Sequence, residues 1–194
     1  DYYYIEDIDK KEIIKRISPK DIIYFLTNDK KIKNVIKQLP NNKILNKEYY
    51  LKGLTKIEVQ KMLANNGINT PEIINYDDNL ENSIFPLYLK YKNHDVFVAK
   101  ICSKRSLNYL FSKFNSNKFY LEKEIKQKDI VKEHKIYYSN KDIFENDKDI
   151  ISDKIKNICN KLSEVTGLDV YSADLIETKD KIYVIDVNSA PGFW

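Results

Sequence analysis

The sequence predicts an α+β fold, in which antiparallel strand pairs are combined with amphipathic helices. The first observation is a β-hairpin pattern: residues 168–178 and 181–188 are rich in Val, Ile, Leu and Tyr, and a polar connector joins them. The second is a helical stripe in residues 150–165. The third is a continuous apolar run at residues 21–26, which is followed by a helix pattern and indicates one βα unit.

The first fifty residues predict a small α/β segment. After a short amphipathic helix at residues 10–17, the run at residues 21–26 is apolar throughout, which is typical of a buried parallel strand. Residues 27–29 are Thr, Asn and Asp, which can cap the next helix. That helix is expected at residues 30–39, and Pro40 ends it.

A second helix is expected at residues 54–66, where Leu54, Ile57, Met62 and Leu63 recur on one side. Thr55 is a plausible N-cap with Glu58 three residues on, which is a capping-box spacing. Gly67 follows the helix as a left-handed terminator. Lys56 lies in the first turn, where the helix dipole disfavours a cation, so it is either simply exposed or held there for an anion.

The middle of the chain alternates between strands and turns, with one further helix. Strands are expected at residues 72–74, 85–90, 96–101, 119–125, 135–138 and 142–144, and a helix at residues 106–114. The strands at 85–90 and 96–101 should pair antiparallel through a loop. The strands at 135–138 and 142–144 should form a short hairpin around residues 139–141.

Oxygen-bearing side chains are expected to converge on the closing hairpin. With the turn centred near residues 179–180, Asp174 falls opposite Asp186, and Asn188 points the same way as Asp186 because side chains alternate along a strand. Facing carboxylates repel, so a cation should lie between them. An all-oxygen set suits Mg²⁺ or Mn²⁺. The alternative is a solvated hairpin end with ordinary surface acids.

Composition limits the remaining classes of function. Charged residues make up 32% of the chain and are interspersed, and the formal net charge is +4, so the surface is not a nucleic-acid footprint. No stretch approaches the length of a membrane span. Cys102 and Cys159 show neither metal spacing nor a disulfide framework, which favours a reducing cytosol. His94 and His134 lack a nucleophile at motif spacing and are expected in loops or on the surface.

Four stretches, in this order, resemble the ATP-grasp superfamily. TKIEVQKMLANNGINTP is similar to the segment with the first nucleotide-binding lysine, FPLYLK to the strand with the second, and FYLEKEI to the strand that holds adenine. GLDVYSADLIETKDKIYVIDVNSAPGF is similar to the metal-binding hairpin. The resemblance implies two α+β lobes that grip ATP, at residues 51–118 and 119–194. A reduced α/β pre-ATP-grasp segment, residues 1–50, precedes them.

The resemblance also implies roles for individual residues. Lys56 and Lys90 would contact the ATP phosphates, and Lys92 would serve as a donor in the loop that follows. Glu122, Lys123, Ile125 and Asp129 would hold the adenine and the ribose, the first three around the base. The Mg²⁺ ions would be bound by Asp174, Asp186 and Asn188. Lys132 or Lys135 would stand in for the arginine that ligases usually place against the acyl phosphate.

The implied activity is an ATP-dependent carboxylate–amine ligase. An acyl phosphate would form on a small-molecule, peptide or protein carboxylate, and an amino acid or amine would then take the acyl group. Two departures from the family pattern keep alternatives open: residues 68–166 contain no glycine, and the only arginines are Arg16 and Arg105. The alternatives are an ATP-grasp kinase for a sugar or polyol hydroxyl, and a nucleotide-binding module without catalysis. A homodimer or partner subunit would be able to complete the substrate site.

Overall fold

The computed structural model describes residues 15–26, 31–39, 42–76, 80–93, 97–145 and 150–191. Its α-helices are α1 (Ile32–Gln38), α2 (Lys47–Lys52), α3 (Lys56–Asn65), α4 (Lys104–Lys113) and α5 (Asp153–Thr166). Its strands are β1 (Ile22–Ile23), β2 (Lys43–Ile44), β3 (Ile73–Ile74), β4 (Leu87–Tyr91), β5 (Val98–Ile101), β6 (Phe119–Lys123), β7 (Ile130–Ser139), β8 (Asp142–Glu145), β9 (Val170–Thr178) and β10 (Ile182–Asn188). The predicted α+β class is confirmed. None of the described helices is long and apolar enough to cross a membrane.

The strands form three sheets. One four-stranded sheet has the order β3-β6-β4-β5, and a second has the order β10-β9-β7-β8. Strands β1 and β2 pair in parallel, with Ile22 opposite Lys43. Strands β4 and β5 pair antiparallel as predicted, and so do β7 and β8, with Ser139 opposite Asp142.

The chain divides into two compact units that are not contiguous in sequence. The first unit comprises residues 1–54, 135–173 and 187–194, and the second comprises residues 55–134 and 174–186. Three of the divisions fall within β7, β9 and β10, so each of these strands contributes residues to both units. The three-part division expected from the sequence stays a prediction.

The sheet of the second unit has one apolar and one polar face. Side chains alternate along a strand, and in the sequence Leu-Tyr-Leu-Lys of β4 the two leucines are almost completely buried. Leu89 lies opposite Leu121 of β6, and both pack with Leu107 of α4. The other face carries the polar residues of the two strands: Tyr88 lies opposite Glu122, and Lys90 lies opposite Tyr120.

A buried asparagine organises the first unit. Asn46 is fully buried, and its side-chain amide donates to the carbonyls of Val170 (2.6 Å) and Ser189 (2.9 Å). Its Oδ1 accepts from the backbone N–H groups of Asp169 (2.7 Å) and Val170 (2.8 Å). The residue has φ 58°, a left-handed conformation that asparagine tolerates better than most residues. These bonds fix the start of α2 against the first residues of β9.

Several local predictions need correction. The run at residues 21–26 does form a parallel strand, but β1 has only two residues and Ile22 is 62% exposed, while Phe25 is buried. Strand β2 and helix α2 were not predicted. His134 is buried on β7 rather than exposed, whereas His94 lies outside the described residues. The helix predicted at residues 10–17 falls mostly outside them as well.

Candidate functional site

Lys90 extends from the polar face of the sheet and carries two short polar contacts. Strand alternation directs it away from Leu89 and toward the side of β6 that carries Glu122. Its Nζ lies 2.6 Å from Oε2 of Glu122, and it donates to the carbonyl of Ile185 at 2.9 Å. The side chains are 14% and 3% exposed, so this is a largely desolvated ion pair. Such a pair is retained only when both charges are well partnered.

Lys56 reaches β10, the strand that contains Ile185, from the first turn of α3. The capping box is present: the Thr55 hydroxyl accepts from the Glu58 N–H, and the Glu58 carboxylate accepts from the Thr55 N–H at 2.7 Å. The Lys56 N–H donates to the carbonyl of Lys92 at 2.8 Å. The Lys56 ammonium donates to Oδ1 of Asp186 at 2.9 Å. The helix start is therefore tied to the end of β4 while its lysine contacts a carboxylate of β10.

Two ammonium groups thus converge on consecutive residues of β10. Lys90 contacts the carbonyl of Ile185, and Lys56 contacts the side chain of Asp186. All four residues belong to the second unit. Together with Glu122 they form a compact set of two cations and two carboxylates, which we call the lysine–carboxylate cluster.

The cluster contains one buried polar atom that lacks a partner among the described residues. Oε1 of Glu122 is buried and accepts no hydrogen bond, although Oε2 of the same carboxylate contacts Lys90. An unsatisfied buried oxygen is unfavourable and indicates a position where a donor belongs. The exocyclic amine of a purine is one such donor, so Glu122 fits the adenine contact that the resemblance implied.

Tyr120 adjoins the cluster and was not recognised in the sequence. It lies on the same face of β6 as Glu122, two residues away, and is only 7% exposed. Burial, the neighbouring Glu122 carboxylate and the charge of Asp186 raise the pKa of Tyr120 well above its usual value near 10.0. Its hydroxyl therefore remains a neutral dipole beside both carboxylates. Strand alternation places Tyr120 on the same face as Glu122, but no motif in the sequence indicated that its hydroxyl would lie beside the two carboxylates.

The predicted metal ligands lie on the closing strands. Asp174 is half-buried on β9, and Asp186 is half-buried on β10 with Lys56 as its cationic partner. Asn188 is the last residue of β10, and its Oδ1 accepts from the N–H of Ala190 at 3.0 Å. Among the described residues, no three His, Cys, Asp or Glu side chains cluster as a metal site. The predicted set includes an amide and uses oxygen donors, and a cation already contacts Asp186, so it fits Mg²⁺ in its chemistry.

The remaining predicted residues are more dispersed. The Lys123 N–H donates to the carbonyl of Glu72 at 2.9 Å, and its ammonium pairs with the Glu72 carboxylate. Ile125 is half-buried, and Asp129 ends an exposed 3₁₀ turn. Lys92 is held by its backbone, whose N–H donates to the carbonyl of Lys118. On β7, Lys132 is exposed and Lys135 is half-buried.

Comparison with solved structures identifies the fold. D-alanine–D-alanine ligase from Bacillus anthracis, solved with ATP, superposes with a TM-score of 0.73 over 97% of this chain and 73% of that one, at 17% identity. N5-carboxyaminoimidazole ribonucleotide synthetase from Thermotoga maritima gives a TM-score of 0.67 at 21% identity, covering 97% of this chain and 55% of that one. The chain has the ATP-grasp fold of these ligases.

A ligase solved in complex with a precursor has the same fold. ATP-grasp ligase PsnB, complexed with a variant of its minimal precursor, Mg and ADP, gives a TM-score of 0.63 at 13% identity over 84% of this chain. The match spans 58% of the PsnB chain.

Sequence comparison agrees with the structural matches. Residues 137–194 match the RimK-like ATP-grasp domain family. No protein with a curated description matches the sequence closely enough to count as a relative. The resemblance to the ATP-grasp superfamily is therefore confirmed at the level of the fold.

Proposed function

We propose that this chain is the nucleotide-handling part of an ATP-dependent carboxylate–amine ligase. The observation that carries the proposal is the convergence of Lys56 and Lys90 on the Asp186 end of β10, within an ATP-grasp fold. A triphosphate needs fixed cations to neutralise and orient it, and catalysis of phosphoryl transfer is mostly positioning and charge stabilisation. The two ammonium groups that meet at one short segment of β10 can supply both the neutralising charge and the orientation.

The cluster suggests how the nucleotide would be held. Lys56 and Lys90 would bind phosphate oxygens, and Glu122 with the backbone of Lys123 and Ile125 would contact the adenine. Asp129 would accept from the ribose hydroxyls. Asp174, Asp186 and Asn188 would hold Mg²⁺, which when bound neutralises phosphate charge and polarises the transferring group.

The reaction would proceed in two displacements. A substrate carboxylate oxygen attacks the γ-phosphorus of ATP, and ADP leaves with the bridging oxygen, which gives an acyl phosphate. An amine then attacks the acyl carbon, phosphate leaves, and the amine loses a proton as the amide forms. Lys90 would neutralise charge on the transferring phosphoryl group, with Lys132 or Lys135 facing the acyl phosphate.

The compared proteins support a ligase and leave the acceptor open. PsnB has been solved with precursor peptide and AMPPNP, and with a minimal precursor, Mg and ADP. The Bacillus anthracis enzyme is named for joining two molecules of D-alanine. We therefore propose an amino acid or a peptide as the source of the reacting carboxylate, with an amino acid or amine as the second substrate.

Product stoichiometry tests the proposal. The protein is incubated with Mg-ATP and a panel of amino acids, peptides and polyols, and ADP and free phosphate are followed together. A ligase releases both in equal amounts with an amide product. A kinase would give ADP and a phosphorylated polyol without free phosphate, and a binding module would raise its melting temperature with ATP without turnover. Either of the last two outcomes contradicts the proposed ligation.

Replacing Asp186 tests the site itself. Asp186→Asn removes a charge from the metal position and is expected to lower Mg-dependent turnover by about 100-fold or more, the scale of removing one electrostatic group from a transition state. Asp180→Asn is the matched control, because it makes the same charge change at an exposed turn position of the same hairpin. Equal activity of the two variants would refute the metal assignment.

A further inference from the structure

We propose that in the nucleotide-free protein the Lys56 ammonium occupies the cation position of Asp186. A divalent cation and the nucleotide therefore each bind more tightly when the other is present. The inference rests on the proposed function, because it assigns Asp186 to the cation and Lys56 to phosphate. It adds an exchange of cations at one carboxylate. The two lysines of the cluster are held differently, and this difference decides which of them can exchange.

The Lys56 pair is the more accessible of the two ion pairs. The side chains of Lys56 and Asp186 are 19% and 39% exposed, whereas those of Lys90 and Glu122 are 14% and 3% exposed. A partly exposed pair is weakened by solvent and salt more than a buried one, so separating it is less unfavourable. The Lys90 pair would leave a buried carboxylate unpaired if it opened. Exchange is therefore far easier at Asp186 than at Glu122.

The lysines also differ in the number of groups that hold the ammonium. Lys90 contacts both the Glu122 carboxylate and the Ile185 carbonyl. Among the residues that the structure describes, the Lys56 ammonium has one contact, to Oδ1 of Asp186. Its backbone is fixed by the Lys92 carbonyl and by the capping box that starts α3. The side chain can therefore swing to a new partner without any movement of the helix.

Charge balance explains why the exchange needs the nucleotide. A divalent cation that arrives alone must displace the ammonium from Asp186. Two cations then lie beside one carboxylate, which is unfavourable because like charges repel. A cation arriving with a triphosphate brings negative oxygens, to which the displaced ammonium can bind. The two ligands then favour each other, and the coupling must be the same whichever is measured first.

Manganese binding to the nucleotide-free protein tests the exchange. Free Mn²⁺ is followed by its electron paramagnetic resonance signal during titration of the wild type, Lys56→Gln and Lys61→Gln. Lys61 is exposed on the same helix and gives the same change of charge. We expect Lys56→Gln to bind Mn²⁺ about two- to fivefold more tightly than the other two proteins, the range that releasing a partly exposed ion pair allows.

A second measurement uses the wild type alone. Acetic anhydride acetylates lysine amines in proportion to their accessibility and their neutral fraction, and mass spectrometry resolves individual sites. Saturating Mn²⁺ without nucleotide should raise acetylation of Lys56, which loses its carboxylate partner, but not of Lys90. Adding AMPPNP with Mn²⁺ should protect Lys56 below its starting level. This readout remains decisive if Lys56→Gln does not fold.

The outcomes separate the inference from the function on which it rests. The exchange is refuted if Lys56→Gln binds Mn²⁺ no more tightly than Lys61→Gln, or if Mn²⁺ leaves Lys56 acetylation unchanged. In either case, tight wild-type binding of AMPPNP with Mn²⁺ would leave the proposed function intact. If the wild type binds no nucleotide with or without Mn²⁺, the proposed function fails, and the inference fails with it.

Discussion

At the scale of single residues, the candidate site consists of charges whose burial is unfavourable for stability. Glu122 is 2% exposed, one of its oxygens lacks a hydrogen bond among the described residues, and its main cationic partner is Lys90. Replacing both partners of such a buried ion pair by apolar residues of similar size commonly leaves stability unchanged or improves it. A strand interior that retains this arrangement is a candidate for binding a ligand, because strain of this kind collects at functional sites.

Tyr120 supplies the first residue-scale prediction. Its hydroxyl is a neutral dipole beside the carboxylates of Glu122 and Asp186, so Tyr120→Phe removes stabilisation from both. We expect the free energy of unfolding to fall by about 1–2 kcal/mol at pH 7, the scale of one hydrogen-bonding group beside a charge. Urea unfolding measures it. Tyr109→Phe is the control, since Tyr109 is 64% exposed, and equal stabilities of the two variants would contradict the assigned role.

Alkaline pH gives Tyr120 a second signature. Its pKa is raised in the folded protein, so the unfolded chain ionises first, above the ordinary value of 10.0. The folded state therefore loses stability as pH rises above 10, and the loss is absent below it. Phenylalanine does not ionise, so the stability difference between wild type and Tyr120→Phe should shrink as pH rises through this range. A difference that stays constant would place the hydroxyl in water.

At the scale of secondary-structure elements, the start of α3 fixes the origin of the Lys56 side chain. The reciprocal bonds between Thr55 and Glu58 satisfy helix N–H groups that otherwise have no partner. The Thr55 hydroxyl and the Thr55 N–H both donate to the Glu58 carboxylate, and these bonds lower the pKa of Glu58 and keep it ionised near the helix start. The cap therefore places a negative charge at the dipole's positive end, which offsets the presence of a lysine in the first turn.

Removing the cap is the element-scale prediction. Thr55→Ala should lower the free energy of unfolding by about 1 kcal/mol, as expected for an N-cap. It should also weaken nucleotide binding, because α3 frays where Lys56 begins. Thr55→Ser keeps the hydroxyl and is expected to retain both properties. Stability is read from thermal unfolding and affinity from the melting shift with Mg-AMPPNP. If Ala and Ser variants behave alike, the cap does not position the lysine.

Elements with a strong local signal could be predicted from the sequence. The capping box and Gly67 bound α3, and the alternation Leu-Tyr-Leu-Lys defines β4. By contrast, α2 has six residues, too few to form a stable helix alone, and its start depends on the contacts of Asn46 with residues more than one hundred positions away. No pattern within residues 42–52 contains that information.

For the candidate site, the sequence indicated which residues take part but not which of them contact each other. Lys56, Lys90, Glu122 and Asp186 were all named as candidates from the sequence, and the structure brings them into contact. Which lysine meets which carboxylate depends on the register of β4 against β6, and on the approach of α3 to β10. His134 shows the limit: it lies 3.1 Å from Glu177 on the neighbouring strand β9, more than forty residues further along the chain, and no spacing reveals this contact.

At the scale of the whole molecule, chain order and spatial grouping disagree. The second unit is built from residues 55–134 together with residues 174–186, so β10 returns to elements made more than fifty residues earlier. The Val184 N–H donates to the carbonyl of Asn69, and the Asn69 side chain donates to the carbonyl of Ile182. The lysine–carboxylate cluster therefore cannot form until β10 has been synthesised.

The predicted boundary between residues 118 and 119 gives a test at this scale. Strand β6 lies between β3 and β4 in its sheet, and both neighbours precede that boundary. A fragment of residues 119–194 would lose both rows of backbone hydrogen bonds along β6 and expose Phe119 and Leu121, which are 5% and 1% exposed in the whole chain. We expect amides of residues 119–123 to exchange rapidly with deuterium in the fragment and slowly in the whole chain. Adding the fragment of residues 1–118 should restore part of the protection by returning β3 and β4. Slow exchange at residues 119–123 in the isolated fragment would instead make it an autonomous lobe, with its boundary where the family resemblance placed it.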